Sequence, residues 1–177
     1  MLKNIALIIM GLTSLEAVAD DQTVNQRDPV KLAQFMNNLS GQWNCEGGTA
    51  GGTKTAATIE FKGRHNNQVY TFTQVGTKGH TNTLESVWAY DAPNQNLIVS
   101  RRYMSPTGVS TDMFEAESWD ATTLLLNARE LWSPLFAEHR FLFQINSSEK
   151  FEVTWEVKRG EGGYKMGDYL SCKKSDT

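Results

Sequence analysis

Histidines and carboxylates are the side chains of this sequence that are able to do acid–base chemistry near neutral pH. The histidines are His65, His80 and His139. His65 and His80 lie in polar segments close to glycines, and His139 shares a predicted strand face with Phe141. The spacings His-x-His and His-Glu-x-x-His are patterns of metal and haem ligands. Neither occurs in this sequence. The sequence therefore predicts no metal ion and no cofactor.

Two carboxylates, Glu115 and Glu117, have a spacing that catalysis would require. Alternate residues of a strand share one face at about 6.5–7 Å, a separation at which paired carboxylates hydrolyse glycosides. The same spacing is more typical of a solvated strand face. The sequence also has neither a Gly-x-Ser-x-Gly elbow nor a Gly-x-x-x-x-Gly-Lys phosphate loop. An enzyme of unknown class is therefore the third hypothesis, behind two binding functions.

Aromatic side chains and one arginine offer more specific binding chemistry. Arg101 and Tyr103 share one face of a predicted strand, and an arginine beside a tyrosine on an apolar inward face suits an apolar ligand with a carboxylate head group. Strand alternation does not decide which face points inward. In the alternative, the aromatic side chains fill a small core and Arg101 faces water or pairs with an acid. The candidate ligand-binding residues are Tyr70, Phe72, Trp88, Arg101 and Tyr103.

One helix precedes the strands that must position these residues. Asp28 is a favourable N-cap, Pro29 suits the first turn, and Gly41 ends the segment. Apolar residues recur between them at the i, i+3, i+4 and i+7 spacing of an amphipathic helix. The sequence therefore predicts a helix over about 29–39 with one buried face. The apolar residues are Leu32, Phe35, Met36 and Leu39.

Downstream of the helix, the apolar pattern has the period of two that is typical of strands. Turn residues separate ten strand-like runs. Short strands joined by hairpin-length turns predict an antiparallel meander of about 8–10 strands, and closure into a barrel removes its exposed edges. An open sandwich is the alternative. The runs are Gln42–Gly47, Thr55–Lys62, Gln68–Val75, Thr83–Tyr90, Leu97–Met104, Val109–Trp119, Leu124–Trp132, Leu135–Ile145, Phe151–Lys158 and Tyr164–Cys172.

The start of the chain and its two cysteines indicate an exported protein. Lys3, the apolar run 5–12 and the small residues Ala17 and Ala19 predict a signal peptide over 1–19, followed by a single domain over 20–177. The apolar run is shorter than the ~20 residues of a membrane span. Cys45 and Cys172 lie on the first and last predicted strands, so closing the barrel would allow a disulfide in the periplasm or outside the cell. The formal net charge of −3 favours no nucleic-acid partner.

The segment 39–47 resembles the start of bacterial lipocalin-like proteins. Its Gly41-Gln42-Trp43 matches the Gly-x-Trp that opens the first strand of lipocalins after a short helix. The segment 88–94 also looks like the aromatic–Asp turn of exported, uncharacterised lipocalin-like families. The resemblance implies an all-β, lipocalin-like (calycin) barrel of eight strands. It also implies that Trp43 closes the barrel base beneath a basic side chain, for which Arg159 and Lys173 are the candidates.

Three functions therefore remain open. The first is an exported, non-enzymatic protein that holds a small apolar or amphipathic ligand in the barrel. The alternative is an envelope or secreted module that binds a protein partner through its loops, such as an enzyme inhibitor, and an enzyme is third. Interior volume separates the first two, because an apolar cavity of roughly several hundred Å³ favours a ligand carrier, whereas a barrel filled by side chains favours the interaction module.

Overall fold

The structure is a computed structural model that describes residues 27–79, 81–129 and 137–175. The predicted signal peptide and His80 lie outside these ranges. One helix, α1 (Pro29–Leu39), precedes the strands. The strands are β1 (Gly41–Thr49), β2 (Lys54–Arg64), β3 (Val69–Lys78), β4 (Thr83–Asp91), β5 (Asn96–Ser105), β6 (Gly108–Trp119), β7 (Thr123–Ala128), β8 (Glu138–Ser147), β9 (Lys150–Lys158) and β10 (Lys165–Lys174).

Each strand pairs antiparallel with the next one along the chain, and β1 pairs with β10, so the sheet closes into a barrel. This closed meander confirms the predicted all-β, lipocalin-like fold with a short N-terminal helix. Each of the ten predicted runs overlaps one of the ten strands of the described residues. The count of eight that the resemblance implied is wrong for this chain. Closure pairs both edges of the sheet, which removes the exposed hydrogen-bonding groups of an open meander.

The helix α1 begins where the sequence predicts. The Asp28 side chain accepts a hydrogen bond of 2.8 Å from the backbone N–H of Val30, and Pro29 follows the cap. The carbonyl of Asp28 accepts a 2.8 Å hydrogen bond from the indole N–H of Trp119, at the end of β6. All four predicted apolar residues of the helix are buried, so α1 covers the closed end of the barrel. Within the described ranges, no helix has the length and apolarity needed to cross a bilayer.

Trp43 lies at the centre of the packing at this closed end. Its side chain is 1% exposed, and its indole N–H donates a 2.9 Å hydrogen bond to the carbonyl of Leu39. Its ring meets the ring of Phe151 edge to face, with 4.8 Å between the centroids. Gly41 has φ +132°, a conformation that favours glycine. The Gly-x-Trp segment therefore joins the helix to the barrel base.

The basic side chain over Trp43 belongs to Lys174, so the expectation of Arg159 or Lys173 is wrong. The ammonium group of Lys174 lies 5.2 Å from the centroid of the Trp43 ring. Lys174 is directly opposite Trp43 in the β1–β10 register, whereas Lys173 is opposite Asn44 and so points to the other face of the sheet. Arg159 follows the last residue of β9, at the opposite end of the barrel.

Cys45 and Cys172 form the predicted disulfide. The register places them directly opposite each other on β1 and β10, and their exposed fractions are 2% and 0%. The bridge joins residues 127 positions apart. The seam that closes the barrel is therefore cross-linked.

Replacing Trp43 by alanine should lower the free energy of unfolding by about 3–5 kcal/mol, as truncation of large buried aromatic residues does. Trp43→Phe should cost less, because it keeps an aromatic ring and loses only the hydrogen bond to Leu39 and part of the packing. Urea denaturation measures both losses. A loss under about 1 kcal/mol for Trp43→Ala, the range of surface substitutions, would contradict this role.

Removing the disulfide by the double substitution Cys45→Ser and Cys172→Ser should destabilise the fold by up to about 5 kcal/mol, because the unfolded chain loses its largest loop restraint. Urea denaturation of the oxidised and the substituted protein measures the difference. Thiol titration of the unfolded, unreduced wild type should find no free sulfhydryl. Two free sulfhydryls would contradict the cross-linked seam.

Candidate ligand cavity inside the barrel

The end of the barrel opposite α1 contains a cavity of about 540 Å³. It reaches the hairpins that join β1 to β2, β3 to β4 and β5 to β6, where Thr49, Gly76 and Ser110 line it. Most of its deeper wall is apolar, because the inward-facing residues of the strands are large hydrophobic side chains. Six phenylalanine and tryptophan side chains contribute to that wall: Phe72, Trp88, Phe114, Phe141, Phe143 and Trp155.

Four of the five candidate residues line this cavity, namely Phe72, Trp88, Arg101 and Tyr103. The inward face of β5 therefore carries Val99, Arg101 and Tyr103, which strand alternation alone left undecided. The structure brings the four residues together because β3, β4 and β5 are consecutive neighbours in the barrel.

Tyr70, the fifth candidate, does not line the cavity. It lies one residue after the start of β3, nearer the closed end, where side chains fill the barrel. Its ring stacks on that of Phe61 at a centroid distance of 5.2 Å, and burial raises the pKa of its phenol. Tyr70 therefore belongs to the core beneath the cavity.

Trp88 forms the floor of the cavity. Its ring meets Phe61 below and Phe143 edge to face, at centroid distances of 5.2 and 5.4 Å. The ring of Phe72 is stacked at 6.0 Å. The indole N–H donates a 2.8 Å hydrogen bond to the hydroxyl of Ser86, so the buried polar atom of Trp88 is satisfied. The floor is thus a set of aromatic rings in mutual contact whose buried N–H already has a partner.

Arg101 is a charged side chain in this largely apolar lumen. Its Nη2 lies 2.5 Å from Oδ2 of Asp112, with side chains only 14% and 13% exposed. The register places the two residues directly opposite each other on β5 and β6. Thus Arg101 pairs with an acid, as one sequence interpretation allowed, but it does so inside the barrel. Burial lowers the pKa of Arg101, and the hydrogen bond and charge of Asp112 partly offset this effect.

Two aromatic rings hold the guanidinium group in place. Its central carbon lies 4.7 Å from the centroid of Phe114 and 4.9 Å from that of Phe141. Such cation–π contacts are favourable and strengthen where water is excluded. Nearer the mouth, the hydroxyl of Tyr103 accepts a 2.7 Å hydrogen bond from the side-chain amide of Asn82. Contacts within the protein therefore already orient Arg101, Asn82 and Tyr103.

His139 also lines the cavity, and the sequence analysis did not select it as a ligand-binding residue. Its ring lies 5.5 Å from Phe114 and 6.2 Å from Trp155. Burial lowers its pKa, and the charge of Arg101 lowers it further, while the Ala137 backbone and Asp112 act in the opposite direction. His139 lies two residues before Phe141 and so shares its strand face. This spacing would have identified His139 as a cavity residue if the inward face of β8 had been known.

Gly167 shapes one wall of the cavity because its missing side chain leaves room for the ring of Trp155. It lies at a register shift in β10, between Met166 and Asp168. A Cβ atom built on Gly167 would lie 2.4 Å from the Trp155 ring, so any larger residue would force that ring to move. The glycine therefore lets Trp155 lie against the backbone of β10.

The carboxylates considered for catalysis lie on the outer face of β6. Glu115 is 3.4 Å from Nε of Arg129, and Glu117 accepts a 2.7 Å hydrogen bond from Asn127. Neither lines the cavity. His65 lies in the exposed turn between β2 and β3, at the closed end. Across residues 27–79, 81–129 and 137–175, no group of three or more His, Cys, Asp or Glu side chains has the arrangement of a metal site.

Twelve chains among the solved structures are similar to this chain. The chain resembles the solved structure described as "EF1p2_mFAP2b bound to DFHBI", with 12% sequence identity and a TM-score of 0.42 over 81% of this chain and 98% of that one. A TM-score this low does not establish a shared fold. The barrel assignment therefore rests on the strand pairing described above. No protein-family model and no curated protein matches the chain.

His139 should make stability depend on pH. Its pKa in the folded state lies below the ordinary value of 6.5, so the unfolded state binds a proton more readily and the free energy of unfolding falls as the pH falls below about 6.5. Urea denaturation of wild type and His139→Gln between about pH 7.5 and pH 5.5 measures this contribution. The wild type should lose more stability than the variant. Parallel curves would contradict the assignment.

Proposed function

We propose that the chain is a non-enzymatic binding protein that holds a small apolar or amphipathic ligand inside the barrel. The cavity of about 540 Å³ carries this proposal, because small-molecule sites are typically mostly apolar clefts of roughly 300–1,000 Å³ with a few polar groups. A protein-interaction module that acts through its loops needs no such space. The cavity therefore supports the carrier over the alternative function.

The aromatic wall supplies the binding free energy in this proposal. Each Å² of apolar surface that the ligand buries is worth about 25 cal/mol. Little of this gain is lost to reorganisation, because the hydrogen bond from Trp88 to Ser86 already fixes the floor. The ion pair with Asp112 likewise fixes Arg101. Preorganised sites bind more tightly because fewer groups lose freedom on binding.

The position of the polar groups gives the ligand an orientation. Trp88 lies at the floor, whereas Tyr103 and Asn82 lie toward the mouth and Arg101 lies between these levels. An amphipathic ligand would place its apolar end on Trp88 and its polar end at the level of Arg101 and Tyr103. This arrangement lets each end of the ligand meet matching chemistry.

We also propose that the protein works in an oxidising compartment, either periplasmic or extracellular. The disulfide between Cys45 and Cys172 supports this location, because disulfides form and persist mainly in such compartments. The predicted export signal at 1–19 points the same way, although these residues lie outside the described part of the chain.

Binding of aminoanthracene, an uncharged fluorescent probe, tests the carrier function. Leu84 lines the cavity, so Leu84→Trp should fill part of it and weaken binding at least tenfold, or about 1.4 kcal/mol. Val87 lies on the same strand, is 48% exposed and faces outward, so Val87→Trp is the matched control and should bind like wild type. Fluorescence titration gives the affinities, and thermal unfolding shows that both variants fold. Absence of saturable binding to wild type, or equal binding by all three proteins, would reject the proposal.

A further inference from the structure

Resting on the proposed function, we propose that the ligand is a flat, uncharged ring system whose hydrogen-bonding groups lie along one side and face Gln74 and Tyr103. A carrier of amphipathic molecules in general needs only a ligand with one apolar end and one polar end. The side chains around this lumen also divide the ligand across its width, into a side that meets aromatic rings and a side that meets hydrogen-bonding groups.

The first observation is a row of inward-facing residues on β3, β4, β5 and β6. Gln74 is directly opposite Leu84, and Leu84 is directly opposite Tyr103. Tyr103 is in turn directly opposite Ser110. All four residues line the cavity. Neighbouring strands lie about 4.8 Å apart, so the backbones of Gln74 and Tyr103 are separated by roughly 10 Å, with Leu84 between them. This side of the lumen therefore has polar groups at two separated points of one row.

The second observation is that the amide group of Gln74 is free to bind. It has no hydrogen-bond partner among the described residues. Fully enclosed polar side-chain atoms without a partner occur in that part of the chain only at Arg101 and Asn127, so the amide group of Gln74 keeps accessible surface. Gln74 lies on the inward face of β3, between the cavity residues Phe72 and Gly76. Its accessible amide group therefore faces the lumen.

Tyr103 has a hydrogen-bond donor that is also free. Its hydroxyl accepts a 2.7 Å hydrogen bond from the side-chain amide of Asn82, which leaves the O–H proton available to an acceptor. Within the described ranges, no acceptor takes that proton. Water satisfies such groups until a ligand displaces it. An apolar ligand that covers Gln74 and Tyr103 loses these hydrogen bonds, whereas a ligand with a polar group at each point replaces them.

The third observation is the aromatic character of the facing wall. In a closed ring of ten strands, β8 lies across the lumen from β3, and β9 lies across from β4. At the floor, Phe143 on β8 and Phe72 on β3 meet at a centroid distance of 6.4 Å. Toward the mouth, β8 and β9 present Phe141 and Trp155, which are directly opposite each other. The polar side-chain atoms that these two strands present to the cavity are the ring nitrogens of His139 and Trp155. Rings of this kind favour a flat aromatic ligand.

Two isomers of naphthalenediol test the division across the width of the ligand. Both carry one hydroxyl group on a β carbon of each ring. In the same-side diol the two hydroxyl groups lie on one side of the long axis, and in the opposite-side diol they lie on different sides. The isomers consist of the same atoms and bring the same number of hydroxyl groups out of water, so their difference in affinity measures arrangement alone.

The same-side diol should bind to the wild type about tenfold more tightly than the opposite-side diol, because the latter turns one hydroxyl group toward the rings of β8 and β9 and loses a hydrogen bond. Isothermal titration calorimetry measures both affinities directly. This comparison requires no variant, so it remains decisive even if a variant fails to fold.

Two variants assign the preference to the row. Gln74→Leu removes the amide group with little change in volume, and Tyr103→Phe removes the hydroxyl group. Each variant should bind the two isomers with affinities within about twofold of each other, because one partner then remains for either isomer. Gln144 is exposed on the outward face of β8, so Gln144→Leu is the matched control and should keep the preference of about tenfold. Thermal unfolding shows that the variants fold.

The outcomes are distinct. If the opposite-side diol binds as tightly as the same-side diol, or if neither diol binds although aminoanthracene does, this inference is wrong while the carrier function stands. A preference that survives Gln74→Leu or Tyr103→Phe, or one that is lost in Gln144→Leu, equally contradicts the inference. If neither aminoanthracene nor either diol binds saturably, the proposed function itself fails and the inference falls with it.

Discussion

Closure of the sheet between β1 and β10 is the constraint on which the rest of the structure depends. Without that pairing, a ten-strand meander would have two open edges and no enclosed interior. The same seam holds the disulfide between Cys45 and Cys172, and its register places Lys174 over Trp43. Closure also gives each strand one inward face, so every second side chain is committed to a shared core or cavity.

The interior that closure creates is divided along the barrel axis. Toward α1, the side chains of Trp43, Phe61 and Tyr70 fill the space, and the buried face of the helix covers that end. Beyond Trp88 the same inward faces leave a cavity. The division has a physical use, because the filled half can stabilise the barrel without help from a ligand. The open half can then keep the charged pair of Arg101 and Asp112 at the cavity wall.

The sequence predicts the fold further than the site. Alternation, turn residues and the capped helix predict all the strands and α1, because these patterns depend on local rules. Alternation assigns residues to two strand faces, however, without showing which face points inward. Only closure of the barrel decides that Arg101 and Tyr103 face inward rather than Ile98 and Arg102. Depth along the barrel is also a tertiary property, so the sequence could not separate Tyr70 in the core from Phe72 in the cavity. The lysine over Trp43 depends on register between the terminal strands, which no local pattern shows.

Under the proposed carrier function, the ion pair of Arg101 with Asp112 serves binding more than stability. A buried pair returns little net stability, because removing both charges from water costs about as much as their attraction gains. Replacing such a pair by apolar residues of similar volume is often neutral or stabilising. What the pair adds is a guanidinium group that its own acid holds at one level of the cavity wall. A barrel whose interior served only as a core would gain nothing from that arrangement, whereas a barrel that orients an amphipathic ligand, as proposed, would.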